Sequence, residues 1–257
     1  MSPLRDTVRV GLWGAAICVV WAIIGRFLQE NALANTAAQA VFSEWACGRL
    51  GVAWSDPLRD PPEPRAIAGR VLRGVILGLG ASVVVLAVAT VSGAAKVVSV
   101  HGSLSPLAVG LAVAAFSAMR SELVEHGLVL RLLAPVKNEP VKIAVCALAS
   151  GAVAFGMSVQ ATPSEIAATT AAGAAFGTLW LTERGAWVAW GARAAWIFAT
   201  TAGVHGAIAD VEVSSAESLL GARPAVAATT LLAVAAVALG LRHLRRAPRL
   251  RHAPRAI

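Results

Sequence analysis

Apolar segments long enough to cross a lipid bilayer constrain this chain more than any other feature of its sequence. Residues 10–28 and 71–91 contain few charged side chains, and a helix of about 20 apolar residues spans the hydrocarbon core. The mean hydropathy is +0.70, and 57% of the 257 residues are apolar, which is more than water-soluble domains carry. We therefore predict a polytopic integral membrane protein in contact with the lipid bilayer.

The full series of apolar segments predicts an all-α transmembrane bundle of about seven helices. The predicted spans are residues 10–28, 71–91, 104–133, 141–159, 166–181, 186–204 and 225–241. The third segment is too long for one straight span, so we expect a tilt, a kink or an extension into the interface. Small residues are dense in the fourth to sixth segments, and such residues let helices approach closely in lipid.

Four parts of the chain follow from these spans. They are a retained first transmembrane helix at 1–29, an amphipathic and proline-rich loop at 30–70, a membrane core at 71–241 and a basic tail at 242–257. Thr162 and Glu165 have capping-box spacing, which predicts a helix start. Cys18, Cys47 and Cys146 are scattered, so the sequence indicates neither a disulfide framework nor a metal cluster.

The distribution of charge predicts the orientation. A net charge of +8 would suggest a nucleic acid partner in a soluble protein. Here much of it lies in loops and in the tail, where the preference of Lys and Arg for the cytoplasmic side explains it. We therefore expect no nucleic acid partner, a cell (inner) membrane location and a cytoplasmic C-terminus. Because successive spans cross the membrane in opposite directions, we expect Asp210 and Glu212 outside together with the N-terminus, although Arg5 and Arg9 would favour the cytoplasm.

The third apolar segment carries the strongest signal for a site. Glu122, Glu125 and His126 lie in an otherwise apolar run, and ionisable groups at membrane depth are costly and usually mark a functional position. Their spacing of three and four residues places them on one helical face. We take these three side chains as candidate catalytic groups.

Arg193 is the candidate partner of these carboxylates. It lies about two turns inside the sixth segment, at a depth that matches Glu122 and Glu125 when about 1.5 Å is counted per helical residue. One interpretation is an intramembrane ion pair, because leaving either charge alone is costly. The other is that Arg193 extends to the interface and the glutamates are protonated or hydrated. The sequence leaves both interpretations open.

The order of these elements resembles the CPBP family of intramembrane proteases, which includes the type II CAAX prenyl endopeptidases and the Abi proteins. The stretch 121–127 resembles its motif of two glutamates followed by an arginine, and 155–159 resembles its motif of phenylalanine and histidine. The segment around Arg193 and Ile197 resembles the third motif of histidine and asparagine. The resemblance implies a CPBP-like core and an endopeptidase acting on hydrophobic or prenylated substrates by activating water, with or without a metal.

Most of the motif positions carry other residues in this chain. Ser121 stands at the first glutamate and His126 at the arginine, whereas Glu122 and Phe155 match. The residues at the two histidines and the asparagine are Val159, Arg193 and Ile197. Hydrolysis by a general base needs a positioned base and a group that stabilises the oxyanion. The substitutions predict a homologue that has lost the reaction.

Three functions remain open at this point. The first is a catalytically degenerate homologue that acts in binding or regulation and holds a hydrophobic or prenylated peptide without cutting it. The second is a divergent endopeptidase that uses Glu122 with Glu125 or His126; zinc would be needed only in this case, and we otherwise expect no cofactor. The third is a small transporter, which the absence of an obvious inverted repeat disfavours.

Overall fold

The computed structural model of the chain describes residues 3–55, 63–100, 104–157, 162–214 and 218–246. Most of the proline-rich link and the end of the basic tail lie outside these ranges. The helices are α1 Pro3–Phe27, α2 Ala32–Arg49, α3 Pro64–Val91, α4 Leu104–Ser121, a π-helix Glu122–Leu128, α5 Val129–Leu132, α6 Glu139–Met157, α7 Pro163–Glu183, α8 Trp187–Thr200 and α9 Arg223–Arg246. The protein is mostly helical.

Five helical segments are long and apolar enough to cross a membrane among the described residues. They are Val8–Phe27, Pro64–Val91, Leu104–Leu132, Glu139–Gly156 and Arg223–Arg245. Each corresponds to one of the predicted spans, so the prediction of an integral membrane protein is confirmed. The third segment is continuous from α4 through the π-helix to α5.

The predicted count of seven spans exceeds the five candidates. The two other predicted spans correspond to α7 and α8. The α8 helix has only 14 residues, and α7 is rich in Ala and Thr, which lowers its hydropathy. Both helices pack inside the bundle, α7 against α6 and α9 and α8 against α3 and α4. Helices shielded by their neighbours need less apolar surface than helices that face lipid.

The expectation of an all-α fold was wrong in one respect, because the chain also forms a two-stranded antiparallel sheet. Strand β1 (Ala95–Val100) follows α3, and strand β2 (Ala209–Val213) follows α8. The strands pair from Ala95 with Val213 to Val100 with Ala209, with an irregularity between Val97 and Ser99. We call the end of the bundle that carries this sheet the sheet end.

The opposite end of the bundle, which we call the basic end, carries most of the described positive charge. It includes the start of α3, the start of α6 and the end of α9. At this end Arg73 donates a hydrogen bond to Glu183 at 2.9 Å, which joins α3 to α7. At the sheet end, Ser218 donates a hydrogen bond to Glu165 in the predicted capping box, and the Thr162 hydroxyl accepts one from the Glu165 amide at 3.2 Å. The capping-box prediction is confirmed.

The region predicted as an amphipathic and proline-rich loop contains a regular helix, α2, and the start of α3. Asn31 caps α2, because its side-chain oxygen accepts a hydrogen bond from the amide of Ala34 at 2.9 Å. The buried residues Ile17 and Trp21 of α1 and Cys47 of α2 pack against the π-helix in one apolar cluster. The first two helices therefore cover the stretch that carries the candidate site.

Helix α8 is held close to α3 by glycines. A Cβ atom at Gly74 would lie 2.2 Å from the Val188 carbonyl oxygen, and one at Gly78 would lie 2.2 Å from the Ala192 carbonyl oxygen. No side chain fits at either position without moving a backbone, so the two helices are in direct backbone contact. This contact fixes the position of Arg193, the residue that follows Ala192.

Candidate functional site

The candidate site begins with a change in helix type. The sequence predicted one helical segment over residues 104–133 that is tilted, kinked or extended, and within it residues Glu122–Leu128 form a π-helix, in which all seven residues are buried. The wider turn is a rare form that is frequently found at functional sites. A π-helix has a different pattern of backbone hydrogen bonds from an α-helix. Within it, the Leu123 carbonyl accepts a hydrogen bond from the Cys47 thiol at 3.7 Å.

Arg193 lies between the two glutamates of the π-helix. Its Nη1 atom donates a hydrogen bond to Glu125 Oε2 at 2.8 Å, and its Nε atom lies 3.1 Å from Glu122 Oε1. The Nε–H bond does not point at Oε1, so this second contact is an ion pair without a hydrogen bond. The three residues are at most 5% exposed. The structure therefore brings together the groups that the sequence suggested as an ion pair.

Ser150 of α6 completes the contacts of Glu125 and was not predicted. Its hydroxyl donates to Glu125 Oε2 at 2.6 Å and accepts from Arg193 Nη2 at 3.3 Å. One serine in a stretch of small residues looks like packing, so the sequence gives no signal for this role.

His126 uses both ring nitrogens within the site. Nδ1 lies 3.1 Å from Glu122 Oε2, and Nε2 lies 3.1 Å from the Gly173 carbonyl oxygen. A carbonyl oxygen only accepts, so Nε2 carries a hydrogen. One further proton is shared between Nδ1 and Glu122, because two lone pairs at this distance would repel each other. The pair is thus either imidazolium with carboxylate or imidazole with carboxylic acid.

A tryptophan cluster fastens the start of α8. Trp54 stacks on Trp187 with ring centroids 4.8 Å apart and meets Trp190 edge-on at 6.0 Å. The Ala186 amide donates to the Trp54 carbonyl at 2.9 Å. Trp187 and Trp190 thereby contact the segment that follows α2. This contact holds the helix that carries Arg193.

Arg120 is a second cation beside the cluster, at the end of α4. It donates a hydrogen bond to Gln39 and lies over the Trp21 ring, with 5.3 Å from its guanidinium carbon to the ring centroid. Its Nε atom is buried and has no hydrogen-bond partner in the described part of the chain. Helices α1 and α2 therefore bind this guanidinium through an amide and an aromatic face.

Several motif positions lie away from this cluster. Phe155 is on the outer face of α6 and is 72% exposed, so it makes no part of the enclosed site. Ile197 is half-buried against apolar residues of the core. Val159 lies outside the described residues. Of the motif positions, Glu122, His126 and Arg193 are in contact, and Ser121 directly precedes Glu122.

The donor set does not fit a metal ion. Both nitrogens of His126 are engaged, and the Arg193 guanidinium lies against both glutamates. A divalent ion at these carboxylates would face a fixed positive charge. Across the described ranges, no group of three or more His, Cys, Asp and Glu side chains has an arrangement that could hold a metal ion.

Comparison with known families identifies the central part of the chain. Residues 103–199 match the family model described as "Type II CAAX prenyl endopeptidase Rce1-like". No curated protein matched the chain. The matched stretch runs from the start of α4 almost to the end of α8 and contains every residue of the charged cluster. The predicted resemblance to the CPBP and CAAX protease family is confirmed over these residues.

Proposed function

We propose that this membrane protein, whose residues 103–199 form an Rce1-like domain, is a catalytically degenerate member of its family that acts in binding or regulation. The observation that carries the proposal is the position of Arg193. Its guanidinium contacts Glu122 and Glu125, at 3.1 and 2.8 Å. These are the carboxylates that would otherwise supply a general base.

The state of the carboxylates supports the loss of hydrolysis. A general base must accept a proton from water that it contacts. Glu122 faces Arg193 with one oxygen and shares a proton with His126 through the other. Glu125 Oε2 accepts hydrogen bonds from both Ser150 and Arg193. These contacts neutralise the charge on which activation of a water would depend.

Enclosure of the cluster also supports the proposal. Glu122 and His126 have no exposed surface, and Arg193 is 4% exposed. A peptide substrate would need access to a carboxylate and to groups that stabilise its oxyanion. The packing of α1 and α2 on the π-helix closes the approach from that side. The buried contacts among Glu122, Glu125, His126 and Arg193 therefore favour a role in holding the helices together.

A hydrophobic or prenylated peptide is the partner that the family suggests. The printed description of the family names prenyl endopeptidases, and a homologue that no longer cuts could still hold such a chain. Burial of a prenyl group needs apolar surface at membrane depth and no catalytic base. The proposal therefore separates binding, which is retained, from hydrolysis, which is lost.

One observation favours a divergent endopeptidase as the second candidate. Glu122 and His126 form a carboxylate–imidazole contact at 3.1 Å, and such a pair can move a proton during catalysis. In this alternative, Arg193 would leave Glu122 when substrate enters, and Glu122 would act with Glu125 or His126. A conformational change would have to open the cluster first.

A cleavage assay in nanodiscs distinguishes the two candidates. The probe is a fluorogenic farnesylated CAAX-type peptide, added to the full chain and to the Glu122→Gln variant. We expect saturable binding to both proteins and turnover by neither. Turnover by the parent chain that Glu122→Gln abolishes would overturn the proposal. A restored variant serves as the comparison; it combines Ser121→Glu, His126→Arg, Val159→His, Arg193→His and Ile197→Asn.

We also propose an orientation in the inner membrane of the cell, with the basic end facing the cytoplasm. The Lys and Arg residues near the helix ends support it, because such residues prefer the cytoplasmic side. In right-side-out vesicles, a cysteine introduced at Lys137 should resist an impermeant maleimide until the membrane is opened. A cysteine introduced at Glu212 should react at once. The reverse pattern would contradict the orientation.

A further inference from the structure

A second polar network lies beside the charged cluster, between helices α1, α2 and α4. Arg120 of α4 is half-buried, donates a hydrogen bond from Nη1 to the Gln39 side-chain oxygen and lies over the Trp21 ring. Gln39 is 1% exposed, and its Nε2 atom donates to the Trp21 carbonyl at 3.1 Å and to Asn35 Oδ1 at 2.8 Å. One carboxamide therefore connects the guanidinium to Asn35, which lies one turn earlier in α2.

The chemistry of these groups determines which atoms face each other. A guanidinium has only donors, so the Gln39 oxygen faces Arg120, and the two N–H bonds of Gln39 point to the Trp21 carbonyl and to Asn35. An N–H bond needs an acceptor, so Asn35 turns its oxygen toward Gln39 and its Nδ2 atom away. The network therefore uses its side-chain oxygens internally and leaves donors at its edge.

Two of these donors remain open. Arg120 Nη2 and Asn35 Nδ2 make no hydrogen bond in the described part of the chain. Both atoms retain accessible surface, whereas Arg120 Nε is enclosed and a ligand does not reach it. Two accessible donors on either side of one carboxamide, one of them charged, form a position that suits an anion.

Arg120 carries its charge at membrane depth without an ion pair in the described part of the chain. It lies 16 residues after Leu104 and 12 before Leu132 in one continuous helical segment. These separations correspond to about 24 and about 18 Å, which places Arg120 inside a hydrocarbon core about 30 Å thick. The carboxylates of Glu122 and Glu125 face Arg193 instead. A cation at this depth is costly, so it indicates a bound partner of opposite charge.

Depth and space determine the kind of anion. The phosphates of bilayer lipids lie outside the hydrocarbon core, so a lipid phosphate would have to leave its layer to reach Arg120. A fatty acid enters the core in its neutral form, a fixed cation then favours the ionised form, and the proton returns to water. Its tail needs no cavity, because it stays among acyl chains beside α1, where Val19 and Ile23 are 59% and 50% exposed.

We propose that Arg120 and Asn35 bind the carboxylate of a fatty acid from the bilayer, with Nη2 and Nδ2 donating hydrogen bonds to its oxygens. The assignment does not depend on whether the protein cleaves peptides. Trp21, which lies under the guanidinium, belongs to the apolar cluster through which α1 and α2 cover the π-helix. A bound carboxylate therefore stabilises the cover of the charged cluster.

The probe is oleic acid labelled with ¹³C at the carboxyl carbon, added to the full chain in phosphatidylcholine nanodiscs. The carboxyl resonance differs between acid and carboxylate, so at mildly acidic pH it separates bound oleate from neutral oleic acid in the lipid. We expect a carboxylate signal that saturates at one per chain. Unlabelled oleic acid should displace the bound probe, and methyl oleate, which has no carboxylate, should not.

Two pairs of variants test the donors. Arg120→Gln should weaken binding at least tenfold, because it removes a charge-assisted hydrogen bond. Arg26→Gln, at an exposed position of α1, should leave binding unchanged. Asn35→Ala should weaken binding about threefold to tenfold, the change that one hydrogen bond gives. Asn138→Ala, at an exposed position just before α6, should have no effect.

Thermal unfolding provides a second measurement. A ligand that binds only the folded chain raises its melting temperature, so oleic acid should raise that of the parent chain and methyl oleate should not. The rise should be absent in Arg120→Gln and reduced in Asn35→Ala. The comparison of oleic acid with methyl oleate on the parent chain decides the question even if Arg120→Gln does not fold.

Four outcomes would overturn the proposal. A carboxylate signal that does not saturate, or that is equal in the parent and Arg120→Gln, would mean that Arg120 binds no carboxylate. Equal affinities of Asn35→Ala and Asn138→Ala would remove the second donor. Displacement of oleate by phosphatidylglycerol in the nanodisc would assign the site to a lipid phosphate. Displacement by a much lower concentration of a hydrophobic peptide with a free C-terminus than of oleic acid would assign it to a peptide carboxylate.

Discussion

At the scale of single residues, Arg193 is the group whose loss should matter most. Arg193→Met removes the positive charge and leaves Glu122 and Glu125 buried against each other, which typically costs about 3 to 5 kcal/mol. Arg73→Met breaks an ion pair whose side chains are 54% and 28% exposed, and such pairs contribute about 0 to 1 kcal/mol. The measurement is the free energy of unfolding of each variant in the same detergent. Similar losses for the two variants would show that the buried cluster does not stabilise the fold.

Cys47 offers a residue-scale prediction about reactivity. Burial raises the pKa of its thiol from 9.0 to about 12, with a smaller contribution from Glu44. Because the folded pKa lies above the unfolded value, the stabilising contribution is complete below pH 9 and is lost as the pH rises toward 12. In a variant with Cys18→Ala and Cys146→Ala, we expect almost no reaction with maleimide at pH 8, since the thiolate is the nucleophile. Rapid labelling of the folded variant, at the rate seen after unfolding in SDS, would contradict the burial.

At the scale of elements, the contact between α3 and α8 can be tested with two glycines of one helix. A Cβ atom at Gly78 would lie 2.2 Å from the Ala192 carbonyl oxygen, whereas one at Gly80 would meet nothing within 4 Å. Gly78→Ala should therefore destabilise the protein by about 1 to 3 kcal/mol, as overpacking does. Gly80→Ala should leave stability unchanged or raise it by up to about 1 kcal/mol, because alanine favours the helix. Thermal unfolding of both variants gives the sign, and a loss in Gly80→Ala as large as in Gly78→Ala would exclude close contact as the cause.

The elements also show which features of the site could be predicted from the sequence. Glu122, Glu125 and Arg193 could be found because charge in an apolar run is rare and matched depth suggests a meeting. The π-helix could not be predicted, because the apolar pattern of residues 122–128 is also that of an α-helix. The two kinds of helix differ in their backbone hydrogen bonds, which the sequence does not show. Ser150 was missed for a similar reason, because a serine that bonds a distant carboxylate has the same local sequence as one that packs.

The sheet and Phe155 illustrate a different limit. Strand β1 contains the apolar residues Val97 and Val98 between two helices, and a short run of this kind is ambiguous between helix, loop and strand. Its partner strand is more than 100 residues away, so no local pattern marks the pairing. Phe155 matched a family motif by spacing alone, and its position on the outside of α6 depends on the rotation of that helix, which spacing does not determine.

At the scale of the whole molecule, the Rce1-like domain depends on helices outside the matched residues. Helix α8 rests on the glycines of α3, α7 packs against α9, and the π-helix is covered by α1 and α2. The matched stretch of 103–199 alone would expose these faces, including the backbone of α8 at Val188 and Ala192. We expect a fragment of residues 103–199 to aggregate in mild detergent, whereas the full chain elutes as a single species. Separate expression of 1–102 in the same cells should not be sufficient to rescue it, because α9 would still be missing. A monodisperse fragment that keeps the helical signal and the protease resistance of the full chain would show that the charged cluster and the matched helices stabilise themselves without α1, α2, α3 and α9.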